Sequence, residues 1–167
     1  VINQQINSTV LNWWNVNQPQ AKLISIGTSC VYDESMLHRE ENYLIGTPRD
    51  ELFTYAMTKR MLLIGQMALN KQFGLNYLTV VPSTLVGPYY NIENKQLHFI
   101  FDLIRKIIEY KEKKKQVVLW GNGNQRRELV FVEDFVDILL LLDKQAENDV
   151  YNIGAGKDYS IKEFVLM

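Results

Sequence analysis

Apolar residues recur along this chain with two different spacings, which predict alternating strands and helices. Residues 22 to 28 form a short apolar run typical of a buried strand, and residues 54 to 73 carry the pattern of a helix. Gly74 predicts the end of that helix, and residues 76 to 82 form a second buried strand. A strand, a helix and a second strand in this order predict a βαβ unit with parallel strands.

The same alternation extends to both sides of this unit. A further helix is predicted before the first strand, at about residues 3 to 17. The elements predicted after residue 82 are helices at about 97 to 114 and 133 to 144, and strands at 116 to 120, 128 to 132 and 150 to 153. The sequence therefore predicts an α/β fold.

Composition and charge exclude several classes of protein. The 167 residues are 47% apolar and 22% charged, which fits one soluble globular domain. A net charge of −1 argues against nucleic acid or an acidic membrane as the main partner. The longest apolar run, residues 138 to 142, is too short to cross a bilayer, and no secretory leader opens the sequence, so we expect a cytoplasmic location.

The two ends of the sequence predict a piece of a longer protein. The sequence begins with Val1 rather than methionine, and Ser160 and Glu163 form a capping box that should open a helix. Only residues 164 to 167 follow, and a helix that short is not stable alone. We therefore expect a fragment, cut on both sides.

Tyr55 and Lys59 are the most informative pair of residues. One helical turn separates them, so they share a helix face, about 6 Å apart at the backbone. A positive charge beside a phenol favours its ionised form and allows proton exchange near neutral pH. The same spacing also arises by chance on a solvated helix face. Here the preceding strand ends in Thr28 and Cys30, which bring a hydroxyl and a thiol to the edge where open α/β sheets carry their chemistry.

The single cysteine and the paired glycines bear on catalysis and on cofactor binding. Cys30 is the single cysteine and cannot form an internal disulfide, so it is either a small buried apolar residue or a working thiol. The glycine pairs at 121 and 123 and at 154 and 156 follow predicted strands, but neither has the third glycine of a dinucleotide-binding loop. The cradle for a cofactor pyrophosphate is therefore missing from this sequence.

Several motifs occur in a defined order between about residue 20 and the end of the chain. They are Thr28-Ser29-Cys30-Val31-Tyr32, the Tyr55/Lys59 pair, Pro-Ser-Thr-Leu-Val-Gly-Pro at 82 to 88, His98, and Leu-Trp-Gly-Asn-Gly-Asn-Gln-Arg-Arg-Glu-Leu at 119 to 129 with Glu133-Asp134 after it. Together they resemble the extended short-chain dehydrogenase/reductase family of NAD-dependent epimerases and dehydratases, most closely its GDP-L-fucose synthase branch.

The resemblance implies a fold and a division of the chain. The implied fold is an incomplete Rossmann-like doubly wound parallel sheet with a small carboxy-terminal substrate-binding portion. Residues 1–88 would be the carboxy-terminal part of the dinucleotide-binding domain, and residues 89–167 mainly the nucleotide-sugar portion.

The resemblance also implies 3,5-epimerisation and 4-keto reduction of GDP-4-keto-6-deoxy-mannose. In that chemistry Thr28 and Tyr55 would hold the enolate oxygen, with Lys59 orienting the phenol and the cofactor ribose. Cys30 and His98 would exchange protons at the two epimerised carbons. The cofactor would be NADP or NAD, with NADP favoured, and no metal is implied.

The remaining implied contacts concern binding. Tyr55, Lys59 and Pro82 would contact the cofactor. The implied substrate-binding residues are Thr84, Lys106, Trp120 and Arg127. Thr84 stands where the family has asparagine, and Arg105 competes with Lys106 for one basic position. We expect a homodimer.

Alternative interpretations stay open at this point. Within the family, a 4-epimerase or a 4,6-dehydratase is a neighbouring possibility. Outside catalysis, the chain could be a sugar-nucleotide-binding module that lacks the cofactor site. In the enzyme interpretation, activity belongs to the full-length protein and this chain alone is inactive.

Overall fold

A computed structural model describes residues 2–90, 97–119 and 121–167. Its helices and strands alternate for most of the chain. The helices are α1 (Ile2–Asn17), α2 (Phe53–Phe73), α3 (Phe99–Lys113), α4 (Val132–Gln145) and α5 (Ile161–Leu166), and the strands are β1 (Leu23–Ile26), β2 (Tyr77–Pro82), β3 (Thr84–Val86), β4 (Arg126–Phe131), β5 (Asp149–Ile153) and β6 (Asp158–Ser160).

Three parallel strands form the main sheet, in the order β1-β2-β5. Ser25 pairs with Thr79 across β1 and β2, and Thr79 pairs with Val150 across β2 and β5. Because α2 connects β1 to the parallel β2, the predicted βαβ unit is confirmed. A smaller sheet pairs β3 in parallel with β4 and β4 in antiparallel with β6.

Successive side chains of β2 point into two separate cores. Tyr77 and Val81 pack with Trp14 and Leu63 from α1 and α2. Leu78 and Val80 face the other way and pack with Phe135 of α4. Full burial of each such side chain contributes about 1.5–3 kcal/mol. Helices therefore cover both faces of the sheet, as in a doubly wound fold.

A buried polar cluster fixes α2 against the sheet. Gln66 Oε1 accepts hydrogen bonds from Ser25 Oγ and Thr79 Oγ1, each at 3.0 Å, and Gln66 Nε2 donates to the main-chain oxygen of Leu23 at 3.2 Å. Each buried polar atom of this group has a partner, so the cluster specifies one register between helix and sheet without an unpaired group.

Two helix boundaries follow the sequence signals. Gly74 ends α2 with a φ of 72°, and its N–H donates to the main-chain oxygen of Asn70 at 2.8 Å. Glycine suits this left-handed position because it has no Cβ. Ser160 and Glu163 form the predicted capping box at the start of α5. None of the described helices is long and apolar enough to cross a membrane.

The strand predicted at 116 to 120 is wrong for the residues that the structure describes. Residues 116 to 119 form no strand, because no described strand pairs with them, and Val118 is 62% exposed. Conversely, β3 and β6 were not predicted, since three residues are too few to show an alternating pattern.

Candidate active site

The segment after β1 places a hydroxyl and a thiol at the edge of the main sheet. Residues Ser29–Val31 form a single 3-10 turn, and Thr28 Oγ1 caps it by accepting a hydrogen bond from the Cys30 N–H at 3.3 Å. Thr28 and Cys30 are both partly exposed. Since its oxygen is the acceptor in this cap, the Thr28 hydroxyl hydrogen is left to donate to another group.

Gly27 lets a buried tyrosine approach the end of β1. A Cβ at this position would lie 2.8 Å from Tyr43 Oη and 3.0 Å from Val81 Cγ2, so any larger residue would displace one of them. Tyr43 is 1% exposed, and burial raises the pKa of its phenol far above the usual value. Tyr43 therefore supports the turn as a neutral packing residue.

Tyr55 and Lys59 lie on the first two turns of α2, beside the end of β1. Lys59 Nζ donates to the main-chain oxygen of Ile26 at 2.8 Å and lies 6.0 Å from the centre of the Tyr55 ring. Burial lowers the pKa of the Lys59 amine. Tyr55 is 41% exposed. The pair is thus attached to the strand that leads into Thr28.

A second tyrosine and lysine with the same spacing show what this attachment adds. Tyr110 and Lys114 are also four residues apart, and Lys114 Nζ lies 5.8 Å from the centre of the Tyr110 ring. Both residues are exposed near the end of α3, and Lys114 makes no described hydrogen bond to a strand. Spacing alone therefore does not distinguish the two pairs, whereas the contact with β1 does.

A cleft of about 490 Å³ brings several of the predicted site residues together. We name it the Cys30 cleft; its lining includes Cys30, Thr84 and Arg127, together with Ser29, Ser83 and Glu128. Its outer wall is formed by the loop after the turn, at Glu34, His38, Arg49 and Leu52. Cys30 and two of the predicted substrate-binding residues therefore face one space.

A second cleft, of about 250 Å³, lies between α3 and the loop before β4. We name it the Lys106 cleft; Lys106, Asp102, Gln125 and Arg127 line it with the apolar residues Phe99, Leu103, Leu119 and Ile161. Arg127 lines both clefts. A ligand with an anionic centre and two unlike ends could reach both clefts while contacting this guanidinium.

The neighbours Arg126 and Arg127 have different surroundings. Arg126 forms ion pairs with Asp158 at 3.0 Å and Glu163 at 3.5 Å. Arg127 donates to the main-chain oxygen of Arg126 at 2.8 Å and forms no ion pair with the residues that the structure describes. Both side chains line the Cys30 cleft, and Arg127 is the one whose guanidinium has no carboxylate partner among the described residues, so it can pair with an anionic ligand.

Asp102 holds the two basic residues that compete for one predicted role. Lys106 Nζ lies 2.8 Å from Asp102 Oδ2, and Arg105 pairs with the other oxygen of the same carboxylate. Hydrogen bonds from Lys106 and then Arg105 lower the pKa of Asp102. Lys106 lines the cleft and its side chain is 20% exposed, whereas that of Arg105 is 51% exposed.

Five predicted site residues line neither cleft in the described part of the chain: Thr28, Tyr55, Lys59, Pro82 and His98. His98 occupies the N-cap position of α3 without a side-chain capping hydrogen bond, is exposed, and lies 6.4 Å from Tyr90 between ring centres. Tyr55 and Lys59 stay beside β1 and line neither cleft. Pro82 ends β2 and lines a smaller pocket of about 110 Å³ with Ser83 and Gly154. Trp120 lies outside the described residues.

Some residues that shape the Cys30 cleft were missed by the sequence analysis. Tyr32 Oη donates to Asn152 Oδ1 at 2.7 Å, and the Tyr32 ring stacks on His38 with centres 4.7 Å apart. Burial raises the pKa of Tyr32 to about 12. Glu128 Oε1 accepts a hydrogen bond from the Gly156 N–H at 2.7 Å. No sequence signal joins these residues, because each contact spans more than 25 positions or lies within an irregular loop.

The described residues contain no group of three or more histidine, cysteine or acidic side chains that could hold a metal ion.

Comparison with known proteins places the chain in a family. The sequence profile of the NAD dependent epimerase/dehydratase family matches residues 1–154. A GDP-L-fucose synthase from Sinorhizobium fredii is 34% identical over 146 residues, covering 85% of this chain and 46% of that protein. The chain thus spans about half the length of the curated relatives it matches.

Solved structures share the fold. MlghC, a GDP-mannoheptose C4 reductase from Campylobacter jejuni with NADP bound, matches with a TM-score of 0.83 and 26% identity, over 98% of this chain and 60% of that one. A GDP-L-fucose synthetase from Naegleria fowleri matches with a TM-score of 0.84 and 22% identity, over 98% of this chain and 53% of that one. The Rossmann-like fold is therefore confirmed, and the chain belongs to the NAD dependent epimerase/dehydratase family.

Proposed function

We propose that this chain is the catalytic-residue-bearing part of a nucleotide-sugar epimerase/reductase that acts on a GDP-4-keto-6-deoxy sugar with NADPH. One observation carries the proposal: the helix with Tyr55 and Lys59 is hydrogen-bonded to the strand that leads into Thr28 and Cys30. The relatives named above as GDP-L-fucose synthases support the substrate class.

The first step would be removal of a proton next to the ketone. The carbons beside a ketone are acidic because the resulting enolate spreads its charge onto oxygen. Thr28 Oγ1 has a free hydrogen to donate, and Tyr55 Oη would donate a second hydrogen bond to the same oxygen. Two donors directed at a developing negative charge lower the barrier most when the site excludes water.

Lys59 would orient Tyr55 and the cofactor ribose. One of its three hydrogens is used by the main-chain oxygen of Ile26, so two remain for the phenol and the ribose. Its partial burial strengthens both interactions, because solvent screens them less. The phenol would then protonate the ketone oxygen as the carbonyl carbon is reduced.

Cys30 and His98 would exchange the protons of epimerisation. Cys30 lines the cleft that also contains Arg127, so its thiol can reach a sugar whose diphosphate is bound there. His98 occupies the N-cap position of α3 beside Tyr90 and would have to approach the sugar from the opposite side of the cleft. Proton exchange at two ring carbons on opposite sides needs two such groups.

Arg127 would bind the nucleotide diphosphate between the two clefts. A guanidinium donates paired hydrogen bonds to phosphate oxygens, which fixes orientation as well as affinity. Lys106 would add a second positive charge in the Lys106 cleft, and Thr84 would contact the sugar. Trp120 would lie against the base.

The fit to a nicotinamide cofactor is limited to one end of that molecule. Pro82 ends the parallel strand β2, and Tyr55 and Lys59 lie on α2 beside the carboxyl end of β1, at the edge where such cofactors bind. These three residues would hold the nicotinamide ribose. The bound cofactor would supply hydride to the ketone carbon. This sequence has no glycine-rich cradle for the pyrophosphate, and we propose that another part of the full-length protein provides it.

We also propose that the full-length protein is a cytoplasmic homodimer. The residues Ile2, Ile6, Val10 and Trp13 follow helical spacing along α1 and are exposed, at 72%, 53%, 38% and 54%. Trp14 instead lies in the core, at 2% exposed. We further propose that the chain divides at residue 88 into a cofactor-binding part and a mainly substrate-binding part. Strand β5 belongs to the second part and pairs with β2 in the sheet of the first.

NADPH oxidation by the full-length protein tests the proposed function. We expect oxidation with GDP-4-keto-6-deoxy-mannose and at least about 10²-fold less with the uridine or thymidine analogue, because a polar nucleobase site rejects the wrong base. The absence of oxidation with every nucleotide sugar would contradict the proposal and favour the non-catalytic binding module.

A second candidate is a GDP-sugar C4 reductase that does not epimerise. It is favoured by the position of His98, which is exposed and lines neither described cleft. MlghC is named as a GDP-mannoheptose C4 reductase and has 26% identity over 98% of this chain. Exchange of solvent deuterium into the substrate separates the two, since only the epimerase removes carbon-bound protons.

A further inference from the structure

Two consecutive residues of α2 hold the main chain on both sides of the Thr28–Cys30 segment. Lys59 donates to the oxygen of Ile26 at 2.8 Å, before the segment. Arg60 donates to the oxygen of Val31 at 2.6 Å, after it. The turn that presents Cys30 is therefore attached at both ends to the helix that presents Tyr55.

Arg60 also binds the loop that follows this turn. Its two terminal nitrogens donate to the main-chain oxygens of Gly46 at 2.8 Å and Ile45 at 2.7 Å. The residue is only 5% exposed, and it forms no ion pair with the described residues. A buried guanidinium whose partners are three carbonyls from two separate segments acts as a fixed brace between them.

We propose that Arg60 is a positioning residue that sets the Cys30 turn against Tyr55. Arginine is required because its planar group donates in several fixed directions at once, whereas a lysine ammonium at the same place reaches fewer of the three carbonyls. The consequence for catalysis rests on the proposed function; the attachment of the turn does not.

Lys22 provides a matched control elsewhere in the fold. Its ammonium also donates to two main-chain oxygens, those of Asp143 and Ala146, and its side chain is 16% exposed. It lines none of the described clefts around Cys30. Lys22→Met therefore removes a similar brace while leaving the turn attached.

The first test measures the turn directly in the full-length protein. The rate at which iodoacetamide alkylates Cys30, followed by mass spectrometry of its peptide, is compared in Arg60→Met, Lys22→Met and the parent. We expect Arg60→Met to react about tenfold faster, because the turn opens locally more often, and Lys22→Met to react at the parental rate. Equal rates in both variants would overturn the proposal.

A second variant covers the case in which Arg60→Met does not fold. Arg60→Lys keeps the positive charge but loses the planar group that donates in several directions. We expect Cys30 alkylation to rise by less than in Arg60→Met, and amide hydrogen exchange to become faster across residues 29 to 47. Parental alkylation and exchange in Arg60→Lys would equally overturn the proposal.

The enzymatic test separates positioning from general loss of stability. We expect Arg60→Met to lose about 10²-fold in deuterium exchange beside the ketone, the cost of a misplacement near 1 Å. Reduction of an already epimerised substrate should fall much less, since Tyr55 stays on its own helix. If the parent protein is inactive on every nucleotide sugar, the proposed function is contradicted. The role of Arg60 is still decided in that case, because the alkylation rates do not depend on activity.

Discussion

Lys59 reaches across from α2 to the last residue of β1, where its Nζ lies 2.8 Å from the main-chain oxygen of Ile26. Two positions further along the chain is Thr28, whose hydroxyl caps the turn that carries Cys30. The first turns of α2 are therefore attached to the end of β1. This attachment distinguishes the Tyr55 pair from the Tyr110 pair, which has the same spacing and no such contact.

Tyr55→Phe should abolish ketone reduction in the full-length protein. Loss of the phenolic proton donor costs about 10²–10⁴-fold in rate, while the fold should be unaffected because Tyr55 is 41% exposed. Tyr110→Phe is the matched control, since it removes the same hydroxyl from the other pair. The measurement is NADPH oxidation at saturating substrate, and undiminished turnover in Tyr55→Phe would reject the assignment.

Cys30→Ser should affect proton exchange more than reduction. Serine nearly keeps the size of the side chain, but a hydroxyl ionises far less readily than a thiol and so supplies almost no anionic base near neutral pH. We therefore expect a larger loss in deuterium incorporation than in reduction of an epimerised substrate. Ser29→Ala, one position earlier in the same turn, controls for disturbance of the turn. Equal losses in the two reactions would remove Cys30 from the epimerising role.

Arg127→Ala and Arg126→Ala should have different effects on substrate binding. Removing the Arg127 contact with a diphosphate should raise KM about 10–100-fold, since a charge-assisted hydrogen bond contributes about 1.5–3 kcal/mol. Arg126 is engaged with Asp158 and Glu163, and its exposed ion pairs contribute little. Steady-state kinetics of both variants give the comparison, and a larger KM for Arg126→Ala would reverse the assignment.

The stabilisation that ionised Asp33 gives the folded protein should be lost as the solution becomes acidic. Hydrogen bonds from the Ser35 hydroxyl, and then from the main-chain N–H groups of Thr47 and Ser35, lower the pKa of Asp33 to about 2 from 3.8. Because the folded-state pKa is below the unfolded-state value, this stabilisation is present above about pH 4 and is lost as the pH falls towards 2.

The variant Asp33→Asn tests this pH dependence through the apparent melting temperature of the full-length protein. We expect it to melt below the parent near neutral pH, with the difference shrinking as the pH falls below about 4. Asp50→Asn is the control, because its side chain makes no hydrogen bond with the described residues. A difference between Asp33→Asn and the parent that stays constant with pH would contradict the expectation.

Local patterns in the sequence were sufficient to predict the frame of the fold. The apolar runs of β1 and β2, the left-handed glycine at 74 and the capping box at Ser160 each depend on neighbouring residues, and each is confirmed. The strand predicted at 116 to 120 failed because a strand needs a neighbour to pair with, and its own residues do not reveal one.

The arrangement of the candidate site depends on contacts that a single sequence does not show. Arg60 looks like a solvated helix residue beside Lys59, yet it is buried under carbonyls from residues 31, 45 and 46. Arg126 and Arg127 are adjacent basic residues, and only Arg126 pairs with the distant carboxylates of Asp158 and Glu163 among the described residues. Both residues line the Cys30 cleft, and long-range packing decides which of the two guanidiniums is paired with carboxylates.

The most direct test of the account is one reaction of the full-length protein with GDP-4-keto-6-deoxy-mannose and NADPH in heavy water, analysed by mass spectrometry and NMR of the product. The account predicts that NADPH is consumed and that the product carries deuterium at both carbons that flanked the ketone. NADPH consumption with no deuterium at either carbon would contradict the epimerising roles of Cys30 and His98 and would make the protein a simple reductase.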